Sequence, residues 1–506
     1  MSAIRSYAVR LAGIVILCTV SPFTLHAQLS SASVTGVIRD STGGVIADAQ
    51  ISLRNVDTAT ERRATSNSAG NYAFVNVPVG KYVLDITKIG FRAFRVADLL
   101  LEVNQTATVD ASLSVGGIEQ TVQVEAAADL IQASSAELGA VVTQKQVADL
   151  PLNGRNFTQL LTLTPGAAPI NGPQQSNGFG NTAQNTAYSF PAINGQTNRS
   201  TFFMLDGLNN QGAFASTYVV PPIVDGIREF KINSHDDQAE FGGVLGGIVN
   251  VVTKSGTNEL TGSAWEFVRN TDFNARNTFQ PSVTPFHQNQ FGIAVGGPVI
   301  LPKIYNGRNK TFFFFAYEGF RYTQANNAFL RVPTDQELAG NFNGPNEPAQ
   351  IFNPFSTRPD PANPGAFIRD VFPNNQIPAN LISQPLVNYV RTFIPRPNYS
   401  GNADRNAIDN TPQVQRQNEY TGRIDQNLGT KNFFWFRYSV ITLDQSLPGG
   451  LPNLINNKNN PGQNWGGSFV RTFSPSFILQ AQFGRAHQET NGLQRWTNAP
   501  ANTIQG

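Results

Sequence analysis

From Thr261 to His487 the chain repeats segments of about ten residues in which every second side chain is apolar. Gln290 to Gly296 sets Phe291, Ile293 and Val295 against Gln290, Gly292 and Ala294. Asn432 to Val440 sets Phe434, Phe436, Tyr438 and Val440 against Arg437 and Ser439, and Phe477 to Gly484 sets Phe477, Leu479, Ala481 and Phe483 against Gln480, Gln482 and Gly484. A period of two is a strand with two chemically different faces. Candidate strands are 261–269, 289–297, 311–322, 418–428, 432–441, 464–473 and 476–487. Strands greasy on one face and polar on the other suit a β-barrel in lipid, which cannot satisfy an open backbone edge. The run Phe312 to Phe315 has a second reading, as the buried strand of a soluble sandwich.

The connections favour the barrel. Longer and shorter ones alternate at 270–288, 298–310, 323–417, 429–431, 442–463 and 474–475, as when one end carries tight turns and the other long loops. The 298–310 connection is long for a tight turn. The 323–417 connection is rich in Pro and Asn and would be anomalous inside a compact soluble domain. Composition agrees: 14% of residues are charged and 36 are Phe, against about 25% charged in ordinary soluble domains. A net charge of +2 gives no electrostatic footprint for nucleic acid.

The N-terminus reads as an export signal. Arg5 and Arg10 precede an apolar core from Leu11 to Val20, Pro22 breaks it, and Leu25-His26-Ala27 offers a cleavage site before Gln28, so residues 1–27 are expected to be removed. A membrane anchor is the other reading, but the core is far shorter than the ~20 residues a spanning helix needs. Cys18 lies in this segment behind Leu17, which is too large for a lipoprotein site, and no other cysteine exists to build a disulfide or a thiolate metal site.

Residues 30–115 read as a β-sandwich of short strands at 34–39, 49–54, 71–75, 81–87 and 106–115, with turn chemistry at 41–44, 68–71 and 78–80. Val34-Thr-Gly-Val-Ile-Arg-Asp40, Ser68-Ala-Gly-Asn-Tyr-Ala-Phe74 and Val77-Pro-Val-Gly-Lys-Tyr82 resemble the carboxypeptidase regulatory-like domain. That resemblance implies no peptidase here. The four His, at 26, 235, 287 and 487, have no zinc-peptidase spacing. Carbohydrate binding by the sandwich rests on fold analogy.

Farther along stand Leu150-Pro-Leu-Asn-Gly-Arg-Asn-Phe157, Ile193-Asn-Gly195, Met204-Leu-Asp-Gly207, Ile227-Arg-Glu-Phe230 and Ala239 to Lys254. In this order they resemble the plug of TonB-dependent receptors of the Oar-like branch. Gly296-Gly-Pro-Val299, Lys310 to Gly319, Arg423-Ile-Asp425 and Phe436-Arg-Tyr-Ser439 resemble barrel landmarks of the same branch. The resemblance implies a plug at 126–258 and a barrel from 259 to 506. It also implies a segment gripped by a TonB-type energy-transducing protein, for which 116–125 is the candidate. There Glu119, Thr121, Val122, Gln123 and Val124 would add as a strand to the partner's sheet. One more strand end of the sandwich is the competing reading.

Two other motifs invite chemistry. Gly242, Gly243, Gly246 and Gly247 could cradle phosphate, but the β-branched run Ile248–Val252 follows where a helix is required, so tight packing against the barrel wall is expected instead. His235, Asp236, Asp237 and Glu240 match no standard metal site.

The expected architecture is mainly β: an N-terminal sandwich, an α+β plug, and the first strands of a large transmembrane antiparallel barrel. Such plugged barrels have about 22 strands and seven are found, so the chain reads as truncated. The expected protein is no enzyme and needs no cofactor. Its expected partners are outer-membrane lipid, the energy-transducing protein and an unidentified extracellular ligand, with no nucleic acid. The alternative is a secreted or surface-attached adhesin that binds glycans through the sandwich.

Overall fold

The computed structural model describes residues 31–116, 121–124, 138–168, 192–196, 200–212, 218–235, 245–276, 278, 283–325, 328–344, 347, 350–400, 404–451, 453–474 and 477–496. The leader with Cys18, the candidate residue Glu119, and Asp236, Asp237, Glu240, Gly242 and Gly243 lie outside the described residues, as does the side chain of His235.

The N-terminal sandwich has two sheets. One pairs β4 (Asn71–Val77) and β7 (Thr106–Thr108) with the central β1 (Ala32–Asp40), and β8 (Ala111–Leu113) also joins β1. The other runs β3 (Glu61–Thr65), β2 (Gln50–Asn55), β5 (Gly80–Thr87), β6 (Ala93–Leu101) and β9 (Thr121–Val124). Alternate residues Ile51, Leu53, Leu84 and Ile86 bury completely between the sheets, as period two requires. The expected strand 106–115 is two, β7 and β8. Between them Val109 O accepts from Tyr72 Oη at 2.7 Å and lies so close to Gly36 that a Cβ there would sit 2.0 Å from it. Two strands escaped the pattern. β3 is a polar edge strand, and β6 carries a bulge that moves its partners on β5 from Leu84↔Val96 to Tyr82↔Leu99, breaking its alternation.

The central module is a five-stranded sheet in the order β10 (Leu138–Thr143), β15 (Ile227–His235), β16 (Ile248–Thr253), β13 (Phe202–Leu205), β14 (Leu208–Asn209). A small ladder of β11 (Ala167–Ala168) with β12 (Ala192–Ile193) flanks it. After β10, Thr143 and Gln146 close a capping box on the short helix α1 (Gln144–Asp149). Phe157, Phe203, Tyr218 and Phe230 pack the core, with Phe203 and Tyr218 ring centroids 4.3 Å apart. Gly246 and Gly247 pack inside this module, against Ser200 and against Asn233 and Ile193, and not against the barrel wall as expected. The strand they lead into is buried on both faces, so the close approach is to its own neighbours.

The third region is one antiparallel meander. It begins β17 (Thr261–Asn270), β18 (Phe286–Pro298), β21 (Thr311–Gln324), β26 (Gln413–Leu428) and β27 (Asn432–Pro448). β28 (Leu454–Asn459) and β29 (Gly462–Ser474) then descend along β27 in line, interrupted at Asn460-Pro461, where proline has no N–H to give the ladder. β30 (Phe477–Gln488) and β31 (Asn491–Trp496) ascend beside them in the same way. All seven expected strands are present. β31 extends the last one past Gln488, where its polar residues gave no alternation. The long 298–310 connection folds as a hairpin of its own, β19 (Ile300–Leu301) with β20 (Tyr305–Asn306). The 323–417 connection is structured too. It holds the ladders β22 (Ala328–Leu330) with β25 (Ala407–Asp409) and β23 (Arg358–Pro359) with β24 (Phe367–Ile368), and the helices α2 (Asp335–Leu338) and α3 (Gln384–Phe393).

Burial in this meander is inverted relative to a soluble sheet. On one face Gln290, Glu318, Glu419, Thr421, Arg437, Ser439, Asn464 and Ser468 are buried. On the other, Val268, Ile293, Phe315, Tyr420, Ile424 and Tyr438 are exposed. The inward face holds these polar residues among buried rings such as Phe312, Phe314, Phe320 and Trp435, while the outward face exposes apolar side chains, an arrangement suited to lipid outside.

Candidate functional site

The buried face of the wall is covered by the central module, and among the described residues two charged contacts join them. The first is built on a hairpin turn. Asp206 and Gly207 link β13 to β14 with φ of 53° and 74°, the two positive angles of a tight two-residue turn. The turn aims the Asp206 carboxylate at β26 and β27, where Arg423 and Arg437 stand directly opposite each other. Two like charges in register repel. Asp206 bridges them, accepting from Arg423 Nη1 at 3.0 Å and Arg437 Nε at 2.7 Å. It also accepts from Thr253 N and Oγ1, both at 2.8 Å. Arg437 is fully buried, and its remaining N–H groups reach Ser439 Oγ, Asn464 O and Oδ1, and Leu205 O. Arg423 takes Asp425 as a second partner at 2.8 Å and stacks its guanidinium over Trp435. Leu208, the next residue of the hairpin, fills the space left by Gly466 and Gly484.

The second contact reverses the signs. Glu318 and Glu419 are register partners on β21 and β26. Arg155, held in a short 3₁₀ turn of the central module, ion-pairs with Glu318 at 3.2 Å and with Asp225 of its own module. Its guanidinium lies 5.0 Å from the Trp265 ring centroid and 4.9 Å from that of Phe267. Glu318 also accepts from Trp265 Nε1 at 3.1 Å and Gln290 Nε2 at 2.8 Å.

Arg155, Asp206, Glu318, Arg423 and Arg437 all sit in motifs noted in the sequence, yet none was singled out as a site. Glu318 and Glu419 are separated by the whole 323–417 connection, so the opposed carboxylates were invisible before the strands paired. Arg437 did carry a signal, as an arginine on the polar side of an otherwise aromatic strand.

The sandwich docks on the same end of the wall as the tight turns. Asn427 Nδ2 donates to Thr60 Oγ1 at 2.8 Å and Asn258 N donates to Asp57 O at 3.1 Å. It meets the central module through Val79, Val103 and Val252, and through Val103 N, which donates to Glu229 Oε1 at 2.6 Å. Burial there pushes the Glu229 carboxyl up to about 7 against the opposing pull of that bond and of Arg228. Of the five candidate partner-binding residues, Thr121, Val122, Gln123 and Val124 form β9, paired in parallel with β6.

Residues 252–506 match the family described as outer membrane beta barrel domain. The chain belongs to the outer-membrane β-barrel family. Residues 33–114 match the carboxypeptidase regulatory-like domain. The TonB-dependent transporter Oar of Myxococcus xanthus is 26% identical over 275 residues, which are 51% of this chain and 24% of that protein. The chain thus spans about a quarter of that relative's length. Among solved structures, the outer membrane transporter YddB from Escherichia coli is 8% identical with a TM-score of 0.44, covering 71% of this chain and 39% of that one. The siderophore receptor PirA from Acinetobacter baumannii is 11% identical with a TM-score of 0.33, over 70% and 44%. The resemblance read from the sequence stands, both for the outer-membrane barrel and for its regulatory-like N-terminal domain.

Proposed function

We propose that this outer-membrane protein is a TonB-dependent receptor, importing an extracellular ligand through a barrel plugged by the central module. The observation that carries the reading is reciprocal charge. The module offers an acid to two opposed wall arginines and an arginine to Glu318, whose register partner is a second glutamate, so the charges of module and wall are complementary at both contacts. A leader removed at Ala27 would export the chain, and the tight-turn end with its docked sandwich would face the periplasm. The 323–417 connection would lie outside, where the ligand is met. On the periplasmic side an energy-transducing partner would grip Glu119 and Thr121 to Val124. A pull on that segment reaches the central sheet at β10, an edge strand held from one side only. β10 would peel first, followed along the chain by α1 and Arg155, while the Asp206 hairpin at the opposite edge stays fastened to the wall.

The test is to fractionate the native polypeptide and compare its gel migration with and without boiling. Recovery in the outer membrane with heat-dependent migration is expected. A soluble product of unchanged mobility overturns the reading, and glycan binding by that product would move the protein to the adhesin class.

A further inference from the structure

Without β9, β6 would be a bare edge strand of nine residues. Bare edges recruit strands. The chain delivers its own next extended segment to this one. Arg92 N donates to Ser114 O at 2.9 Å, Gly116 N donates to Gly90 O at 3.1 Å, and Phe91 bridges Val115, so the chain leaves β8 beside the start of β6. After residues 117–120 it lies in parallel on β6, with Ala93↔Thr121, Phe94↔Val122, Arg95↔Gln123 and Val96↔Val124. The ladder stops where the β6 bulge begins, just past Val96, and a bulge turns the edge away. The dock is therefore four residues long, and they are four of the five proposed to bind the energy-transducing partner.

We propose that β6 is the resting dock of this coupling segment, and that the partner takes β9 from it by strand exchange before any pull reaches the central module. The inference rests on the coupling role proposed above for Glu119 and Thr121 to Val124. Two observations favour exchange over simple addition to the outer edge of β9. Register sets Val122 and Val124 level with Phe94 and Val96, the β6 residues whose side chains enter the sandwich core. A strand-adding partner needs a backbone edge of the segment it grips, and β6 already holds one edge of β9, so the partner competes with the sandwich for that edge. The second observation is mechanical. The sandwich is fastened to the wall through Thr60 and Asp57 and to the central module through Val103. A pull on β9 while it is paired ends in that anchored body and does not reach Leu138. A four-residue parallel ladder is short enough to exchange, and the short tether at 117–120 returns the strand to its dock when the partner leaves.

The test uses the full membrane-embedded chain in a Cys18→Ser background, with Ala93→Cys and Thr121→Cys placed at register partners. Binding of the purified C-terminal domain of the TonB-type protein is measured after oxidation and again after reduction. The disulfide is expected to form and to weaken capture by about 10-fold or more, with recovery on reduction. Ala93→Pro alone weakens the dock from the β6 side, at a position where no β5 partner is paired. It is expected to tighten capture by about 3-fold, since proline is tolerated at the first residue of a strand. Failure of the disulfide to form in folded protein, or unchanged capture in the oxidised form, overturns the dock. Deletion of 119–124 separates the two readings. Capture that survives the deletion overturns the coupling segment and the dock with it, whereas capture lost on deletion but unmoved by oxidation overturns the dock alone.

Discussion

The two charged contacts between the central module and the wall are built from the same parts and finished differently. Around Asp206 there are two arginines, Arg423 and Arg437, and two carboxylates, Asp206 and Asp425, so the cluster is neutral. Its members are almost wholly buried, and every N–H of Arg437 has an acceptor. Around Arg155 one guanidinium faces Asp225 and Glu318, with Glu419 opposite; the two glutamates are buried, while Arg155 and Asp225 keep 14% and 26% of their side chains exposed. Burying ions is costly unless each is paired and hydrogen-bonded. The closed cluster meets that condition and behaves as an anchor. The open one leaves acid in excess and some access to water, which suits a contact that is made and unmade.

The sharpest way to break this comparison is Asp206→Asn. Asparagine keeps the positive φ of the turn but removes the charge between two buried arginines. A loss of about 3–5 kcal/mol is expected, read as a lower unfolding midpoint in detergent, because breaking a buried pair leaves an uncompensated charge. Arg155→Met should cost less, about 2 kcal/mol, since Glu318 keeps its hydrogen bonds from Trp265 and Gln290 when the guanidinium is gone. Adding Glu318→Gln to Arg155→Met should return part of that loss in a double-mutant cycle. Equal losses for Asp206→Asn and Arg155→Met would show that both contacts anchor alike.

The smallest effect expected is a pH dependence at the sandwich contact, which extends the comparison to a third, uncharged-by-preference site. The Glu229 carboxyl is pushed from its ordinary 4.5 up to about 7 by burial, with Glu102 adding repulsion and Arg228 opposing it. Because the docked value lies above the free one, the contribution of Glu229 is complete below about pH 4.5 and is lost as pH rises through about 7. Protease release of the sandwich should therefore quicken between those values, and Glu229→Gln should flatten the profile. A profile that is level in the unaltered protein would remove Glu229 from the contact energetics.

How far these contacts could be foreseen differs between their parts. Asp206-Gly207 is a tight-turn signal on its own, because few residue pairs tolerate two positive φ angles. Arg437 and Ser439 stood out by parity on an aromatic strand. The pairing of Glu318 with Glu419, and the arrival of Arg155 beside them, could not be read, because a register across the 323–417 connection leaves no local trace. β6 was missed for a different reason, since one bulge moves its apolar residues to the other parity.

By itself the sequence determined the long strands of the third region, their two faces and the kind of solvent each face requires, because period two and the alternation of apolar with polar side chains are local properties of the chain. Only the tertiary structure decided which charges of the central module and the wall meet and which strand Thr121 to Val124 rest on. Those outcomes depend on register and on pairing between distant strands, whose energies are shared among residues that the sequence never sets side by side.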